Sequence, residues 1–155
     1  MRKTLAAAFV LTLTAGIASA QYKKPTTPVR PNAPGSPVKM TPGATKEAIQ
    51  GVRKISIDQA IEFVEDGKAV FVDVRSKEQY DLGHIKGALS IPGSQLISRL
   101  KEVPPGKMII AYCACSAEQS SGKAVVDLNA HGYKNAAALT GGWNEWKKMK
   151  LPMAP

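Results

Sequence analysis

The chain has 155 residues, only two cysteines, and a formal net charge of +9 from 21 basic and 12 acidic residues. Two cysteines one residue apart do not build a disulfide-stapled scaffold. Seven of the bases (Arg2, Lys3, Lys23, Lys24, Arg30, Lys39 and Lys46) precede every acid, and the other 14 face all 12 acids, so the basic face that nucleic-acid binding requires is excluded.

Residues 1–20 place Arg2 and Lys3 before an apolar run from Leu5 to Ile17 and end on Ala18-Ser19-Ala20. That is the pattern of a cleaved secretory signal. Thr12, Thr14 and Gly16 interrupt the run, which is short for a membrane span. The expectation is a bacterial periplasmic or secreted protein with no stable membrane insertion after cleavage. Residues 21–45 carry Pro25, Pro28, Pro31, Pro34, Pro37 and Pro42 among small and polar residues. A segment with so little to bury does not offset its ordering entropy, and it reads as an extended, disordered linker. Residues 46–155 have the length of one domain with its own core.

Within that domain, Ser56 and Gln59 form a capping box ahead of Ile57, Ala60, Ile61 and Val64 at helical spacing, with Gly67 as the stop. Residues 69–74 are a continuous β-prone run of the kind buried on both faces of a sheet. A short polar helix over 77–82 leads to a strand at 88–91, closed by Pro92-Gly93. Ser94 is placed to cap a helix carrying Leu96, Ile97 and Leu100, ended by Pro104-Pro105-Gly106. A buried strand over 108–112 runs into the cysteine loop. The pattern then gives a helix over 120–131, a strand over 136–139 and a helix over 143–148. Strands alternating with helices specify an α/β fold, a parallel sheet covered on both faces. Sites in such sheets lie beyond the carboxyl ends of the strands, which directs attention to residues 113–121.

Cys113 follows an apolar strand, and the chain turns into a helix near Ser120. Loop amides at a helix start favour an anion, which lowers a thiol pKa and raises its thiolate fraction. Such a thiolate attacks sulfane sulfur or disulfides, and a terminal persulfide is itself an anion that the same amides stabilise. The plainer reading makes Cys113 a core residue ending a strand; the second thiol at Cys115 tilts the balance toward chemistry. A closed zinc site needs four ligands, and beyond the two cysteines the chain offers only His84 and His131, so no metal and no other cofactor is expected.

Four stretches, in order, resemble the rhodanese (thiosulfate:cyanide sulfurtransferase) family over residues 54–148. They are Val72-Asp73-Val74-Arg75 with Glu78 and Tyr80; Gly83-His84-Ile85-Lys86-Gly87-Ala88 with Ile91-Pro92; Ile109-Ile110-Ala111-Tyr112-Cys113; and Gly132-Tyr133, Leu139, Gly141-Gly142-Trp143 and Trp146. The resemblance implies a rhodanese-like, five-stranded parallel sheet with helices on both faces and a persulfide on the loop cysteine. It also implies a small sulfur donor and a thiol or cyanide acceptor as partners. Asp73, Arg75 and His84 then read as structural support for the site.

The loop departs from the family. Counting back from Ser121 at ordinary rhodanese spacing lands on Cys115, whereas the strand lands on Cys113. Loops absorb insertions more readily than buried strands do, so Cys113 is taken as the catalytic cysteine, facing the loop amides, and Cys115 as a resolving thiol. Ala114, Ser116, Ala117, Glu118, Gln119 and Ser120 are the expected substrate-binding loop. Its length resembles the C-x5-R loops of rhodanese-fold phosphatases and arsenate reductases. Gln119 stands where their arginine would be, which removes the bidentate clamp on a dianion. Glu118 is expected to place a negative charge where thiosulfate would arrive. Three functions compete: a sulfane-sulfur transferase or carrier, a thiol redox protein cycling Cys113 and Cys115, and a non-catalytic binding module.

Overall fold

A computed structural model of the chain describes residues 44–155. The export signal expected over 1–20 and nearly all of the linker expected over 21–45 lie outside those residues.

The first described element, helix α1 (Lys46–Gln50), is capped by the Thr45 hydroxyl, which accepts from the Ala48 amide. Strand β1 (Lys54–Ile55) leads into α2 (Ile57–Glu65), where the Ser56/Gln59 capping box is fully formed. β2 (Ala69–Asp73) is followed by α3 (Lys77–Asp81), β3 (His84–Ile85) and β4 (Leu89–Ser90). Then come β5 (Met108–Tyr112), α4 (Gln119–Ala130), β6 (Ala136–Leu139), α5 (Gly142–Lys148) and β7 (Met153–Ala154). Five strands form one parallel sheet in the order β1-β6-β5-β2-β4, and β3 pairs with β7 in a separate antiparallel ribbon.

Alternation along the strands sorts side chains between the two faces of the sheet. Phe71, Ile110, Tyr112 and Leu139 pack with Ile57 and Ala60 of α2 and with Trp143 and Trp146 of α5. Val72, Ile109, Ala111 and Ala138 pack against Ala124, Val125 and Leu128 of α4. The same alternation, continued one residue beyond β5, puts Cys113 on the α4 side. β2 and β5 are in register from Ala69 and Met108 to Asp73 and Tyr112, so both strands end at the same level, below the cysteine loop.

One expected element is absent. The helix proposed after Ser94 is replaced by two short 3-10 segments, Gly93–Gln95 and Leu100–Glu102, and Ser94 lies inside the first of them. Neither segment has a side-chain cap, and Arg99 leaves helical geometry at φ −108° and ψ 9°. Leu96 and Leu100 are buried all the same. Tight turns suffice to bury those two leucines.

Candidate active site

Beneath the site lies a buried ion pair. Asp73, at the end of β2 and fully buried, accepts from Nε of Arg75 with both oxygens at 3.0 Å and from Nη2 at 2.6 Å. It also accepts from the Arg75 backbone amide at 3.0 Å. Arg75 Nη2 in turn donates to the Gly83 carbonyl at 2.8 Å, and its guanidinium lies 4.7 Å from the centre of the Trp143 ring. Burial works against the guanidinium's charge, but the Asp73 carboxylate outweighs it and holds the pKa above the ordinary value. The neighbouring Tyr112 hydroxyl accepts the Ile85 amide at 3.2 Å. Burial, with Asp73 adding to it, pushes that hydroxyl's pKa up. His84 places Nδ1 3.1 Å from the Tyr80 carbonyl and stacks on the Tyr80 ring, while the Tyr80 hydroxyl donates to the Ala88 carbonyl at 2.7 Å. Asp73, Arg75 and His84 thus all bear on the 83–88 turn, at the edge of the site.

The loop rests on this base. The Cys113 carbonyl accepts the Trp143 amide at 2.9 Å. Gly142 has φ +50°, and a Cβ there would collide with that carbonyl oxygen, so the start of α5 docks on Cys113 only because the position is glycine. Asn144 Nδ2 donates to the Ala114 carbonyl at 2.8 Å. Cys113 and Cys115 are joined as a disulfide with their Cα atoms 5.6 Å apart, within the ordinary range for such a bond. Cys113 is 3% exposed and its sulfur lies 3.6 Å from the Ser121 hydroxyl. Cys115 is less buried, and its sulfur accepts the Ser120 amide, at the start of α4, at 3.3 Å. The expectation was that Cys113 faces the loop amides. Among the described residues, the amide bonded to a cysteine sulfur reaches Cys115 instead, because alternation along β5 turns Cys113 down toward the α4 packing.

After Cys115 the chain makes a 3-10 turn over Ser116–Glu118, with Ala117 at φ 58° and Glu118 at φ 50°. Two successive left-handed residues that are not glycine each cost on the order of 1–3 kcal/mol and persist only where neighbouring contacts impose them. Glu118 supplies those contacts, one oxygen accepting the Gly141 amide at 2.9 Å and the other pairing with Lys54 Nζ at 3.0 Å. Partial burial alone would raise its pKa, but Gly141 and Lys54 together hold the carboxyl below the usual value. The charge expected at the point of substrate entry is therefore turned away and neutralised.

A cleft of about 420 Å³ is lined by Cys113, Ala114, Cys115 and Ser120 on the loop side, and by Val74, Arg75, Ser76 and Gln79 on the other. It adjoins a second cavity of about 450 Å³ that shares Val74, Arg75, Ser76 and Ser120 and extends to Gly93 and Lys123. Of the expected substrate-binding loop, Ala114 and Ser120 line the cysteine cleft, whereas Ser116, Ala117, Glu118 and Gln119 do not. Ser76 and Gln79 were not singled out from the sequence, and Val74 only as part of the Val72–Arg75 stretch. The available signal was their place just after β2, the strand beside β5. Among the described residues no group of three or more histidine, cysteine or acidic side chains stands ready to hold a metal ion, and no helix is long and apolar enough to cross a membrane.

A parallel α/β sheet with a cysteine loop at its carboxyl edge defines the class, and comparison with known proteins defines the family. The model of the rhodanese-like domain matches residues 56–149, and the chain belongs to that family. It is similar to the uncharacterized protein YqhL of Bacillus subtilis, 38% identical over 79 residues, covering 51% of this chain and 61% of YqhL. That match takes in less than two thirds of YqhL's own length. PspE of Escherichia coli, named a thiosulfate sulfurtransferase, is 35% identical over 72 residues, covering 44% of this chain and 69% of PspE. Among solved structures, the BH2092 protein of Bacillus halodurans superposes with a TM-score of 0.60 at 28% identity, covering 66% of this chain and 77% of that one.

Proposed function

We propose that the protein is a sulfane-sulfur transferase or carrier acting through a persulfide on Cys113. The observation that carries this reading is the meeting of both cysteines with Arg75 in one cleft beyond the ends of β2 and β5. In this reading the Cys113 thiolate attacks the outer sulfur of a small donor, the donor's own S–S bond breaks, and the persulfide passes its terminal sulfur to a thiol or cyanide acceptor. Arg75 lines the cleft wall with its charge balanced by Asp73 and one N–H held by the Gly83 carbonyl, which fixes that wall in place. The test is donor consumption by reduced protein. Wild type should release one equivalent of sulfite from thiosulfate, or of glutathione from glutathione persulfide, per chain. The Cys113→Ser/Cys115→Ser double variant should release none. Wild type that leaves both donors intact would falsify the reading.

A second reading gives the sulfur to Cys115. It is favoured by the Ser120 amide on the Cys115 sulfur, since a hydrogen bond to a thiolate or persulfide stabilises the anion. The arrangement of residues 1–20 further supports an exported protein of the bacterial cell envelope. N-terminal sequencing from the native host should begin at Gln21, and retention of Met1 in a cytoplasmic fraction would count against export.

A further inference from the structure

The two thiols that line the cleft differ in access and in surroundings, and they are close enough to bond. Cys113 is almost wholly buried in the packing between β5 and α4. Cys115, two positions on, is open to the cleft and holds the Ser120 amide. A persulfide on the inner cysteine therefore has the outer thiol beside it before any external acceptor arrives.

We infer that Cys115 discharges the persulfide internally, releasing hydrosulfide and closing the Cys113–Cys115 disulfide, so that the protein reduces sulfane sulfur to sulfide at the expense of an external dithiol. This rests on the Cys113 persulfide proposed above. In the first step the Cys113 thiolate takes sulfur from the donor. In the second, the Cys115 thiolate attacks Sγ of Cys113. The bond between Sγ and the terminal sulfur breaks, and that sulfur leaves with a proton as hydrosulfide. Two electrons from the two cysteines reduce the zero-valent sulfur, and the disulfide holds the oxidising equivalents. Two groups fixed one residue apart react as an intramolecular pair, so this step outruns attack by a dilute acceptor.

Burial also sets the direction of the reopening step. In the closed disulfide Cys115 is the more exposed of the two sulfur-bearing residues, so a dithiol reductant meets it first. Its thiolate attacks Sγ of Cys115 and expels the Cys113 thiolate, and its second thiol then resolves the mixed disulfide. The product is an oxidised dithiol, a Cys115 thiol, and Cys113 restored as the nucleophile for the next donor. Opening from the other side would leave the mixed disulfide on the residue that has to accept sulfur.

The experiment is a single turnover of anaerobically reduced, desalted protein with one equivalent of thiosulfate and, in parallel, of glutathione persulfide, with no other thiol added. Sulfide and intact mass are read together, and the double cysteine variant supplies the background. Wild type should release one sulfide per chain and become lighter by two hydrogens. Cys115→Ser should release none and become heavier by one sulfur, with Cys115→Ala as the check that the hydroxyl has no part. Wild type that keeps the added sulfur overturns internal discharge while leaving the transferase reading intact. Failure of wild type and of both single variants to consume either donor removes the transferase reading itself. A Cys113→Ser protein that retains the sulfur overturns the division of roles.

Discussion

The pair at the end of β2 and the loop at the end of β5 sit at the same edge of one sheet and are held in opposite ways. Asp73 and Arg75 are buried, linked by several hydrogen bonds and capped by Gly83. The loop carries two left-handed residues; Asn144 and the Trp143 amide hold its start, and Glu118 fastens its outer turn to the remote Gly141 amide and to Lys54. A fixed wall faces a loop whose outer turn hangs on a carboxylate tie that protonation weakens. Chemistry in which Cys113 and Cys115 alternate between bonded and open needs this combination: a base that does not yield and a loop that does.

The contrast predicts a graded set of responses. Asp73→Ala leaves Arg75 charged and buried without its partner, and losses for such broken pairs run at roughly 3–5 kcal/mol; denaturant unfolding should show it. Unchanged stability would make the wall as dispensable as the tie. Gly142→Ala sets a Cβ against the Cys113 carbonyl at φ +50°, and overpacking of this kind costs about 1–3 kcal/mol. It should also displace the cysteine loop, seen as faster alkylation of Cys113 in the reduced protein.

Glu118→Ala removes the tie. The expected loss is about 1 kcal/mol, the typical net value of such a hydrogen bond, with several-fold faster alkylation of Cys115. The pH dependence has a defined sign. The folded carboxyl titrates below its ordinary value of 4.5, so its contribution is complete above that value and is lost as pH falls through the folded one. The Gly141 amide chemical shift should titrate with a midpoint below 4.5; a midpoint at or above it would mean that Glu118 does not hold the loop. Lys54→Ala should do least, a few tenths of a kcal/mol, because the Lys54 side chain is 42% exposed and water screens such pairs.

What the sequence disclosed follows the same division. The Ser56/Gln59 capping box, the apolar runs of β2 and β5 and the position of Cys113 at a strand end are local features, and each is written in a few adjacent residues. Strand β1 and the β3–β7 ribbon escaped notice because each strand has two residues, too few for a period to show, and none is closed by a turn signal like the Pro92-Gly93 that marks the equally short β4. The Ser94 segment misled because Leu96, Ile97 and Leu100 have helical spacing, which tight turns also satisfy. The direction of Glu118 was illegible because its partners, Lys54 and Gly141, stand 64 and 23 positions away. The order of the two cysteines in the cleft required the side-chain alternation along β5 and the Ser120 amide together.

The central claim is that sulfur is carried on Cys113, and intact mass of the two single variants tests it most directly. After exposure of the reduced proteins to a sulfane-sulfur donor and removal of the excess, Cys115→Ser should be heavier by one sulfur, mapped to Cys113 by fragmentation, and Cys113→Ser should be unchanged. The reverse pattern, sulfur on Cys115 in the Cys113→Ser protein and none in the other, would contradict the account.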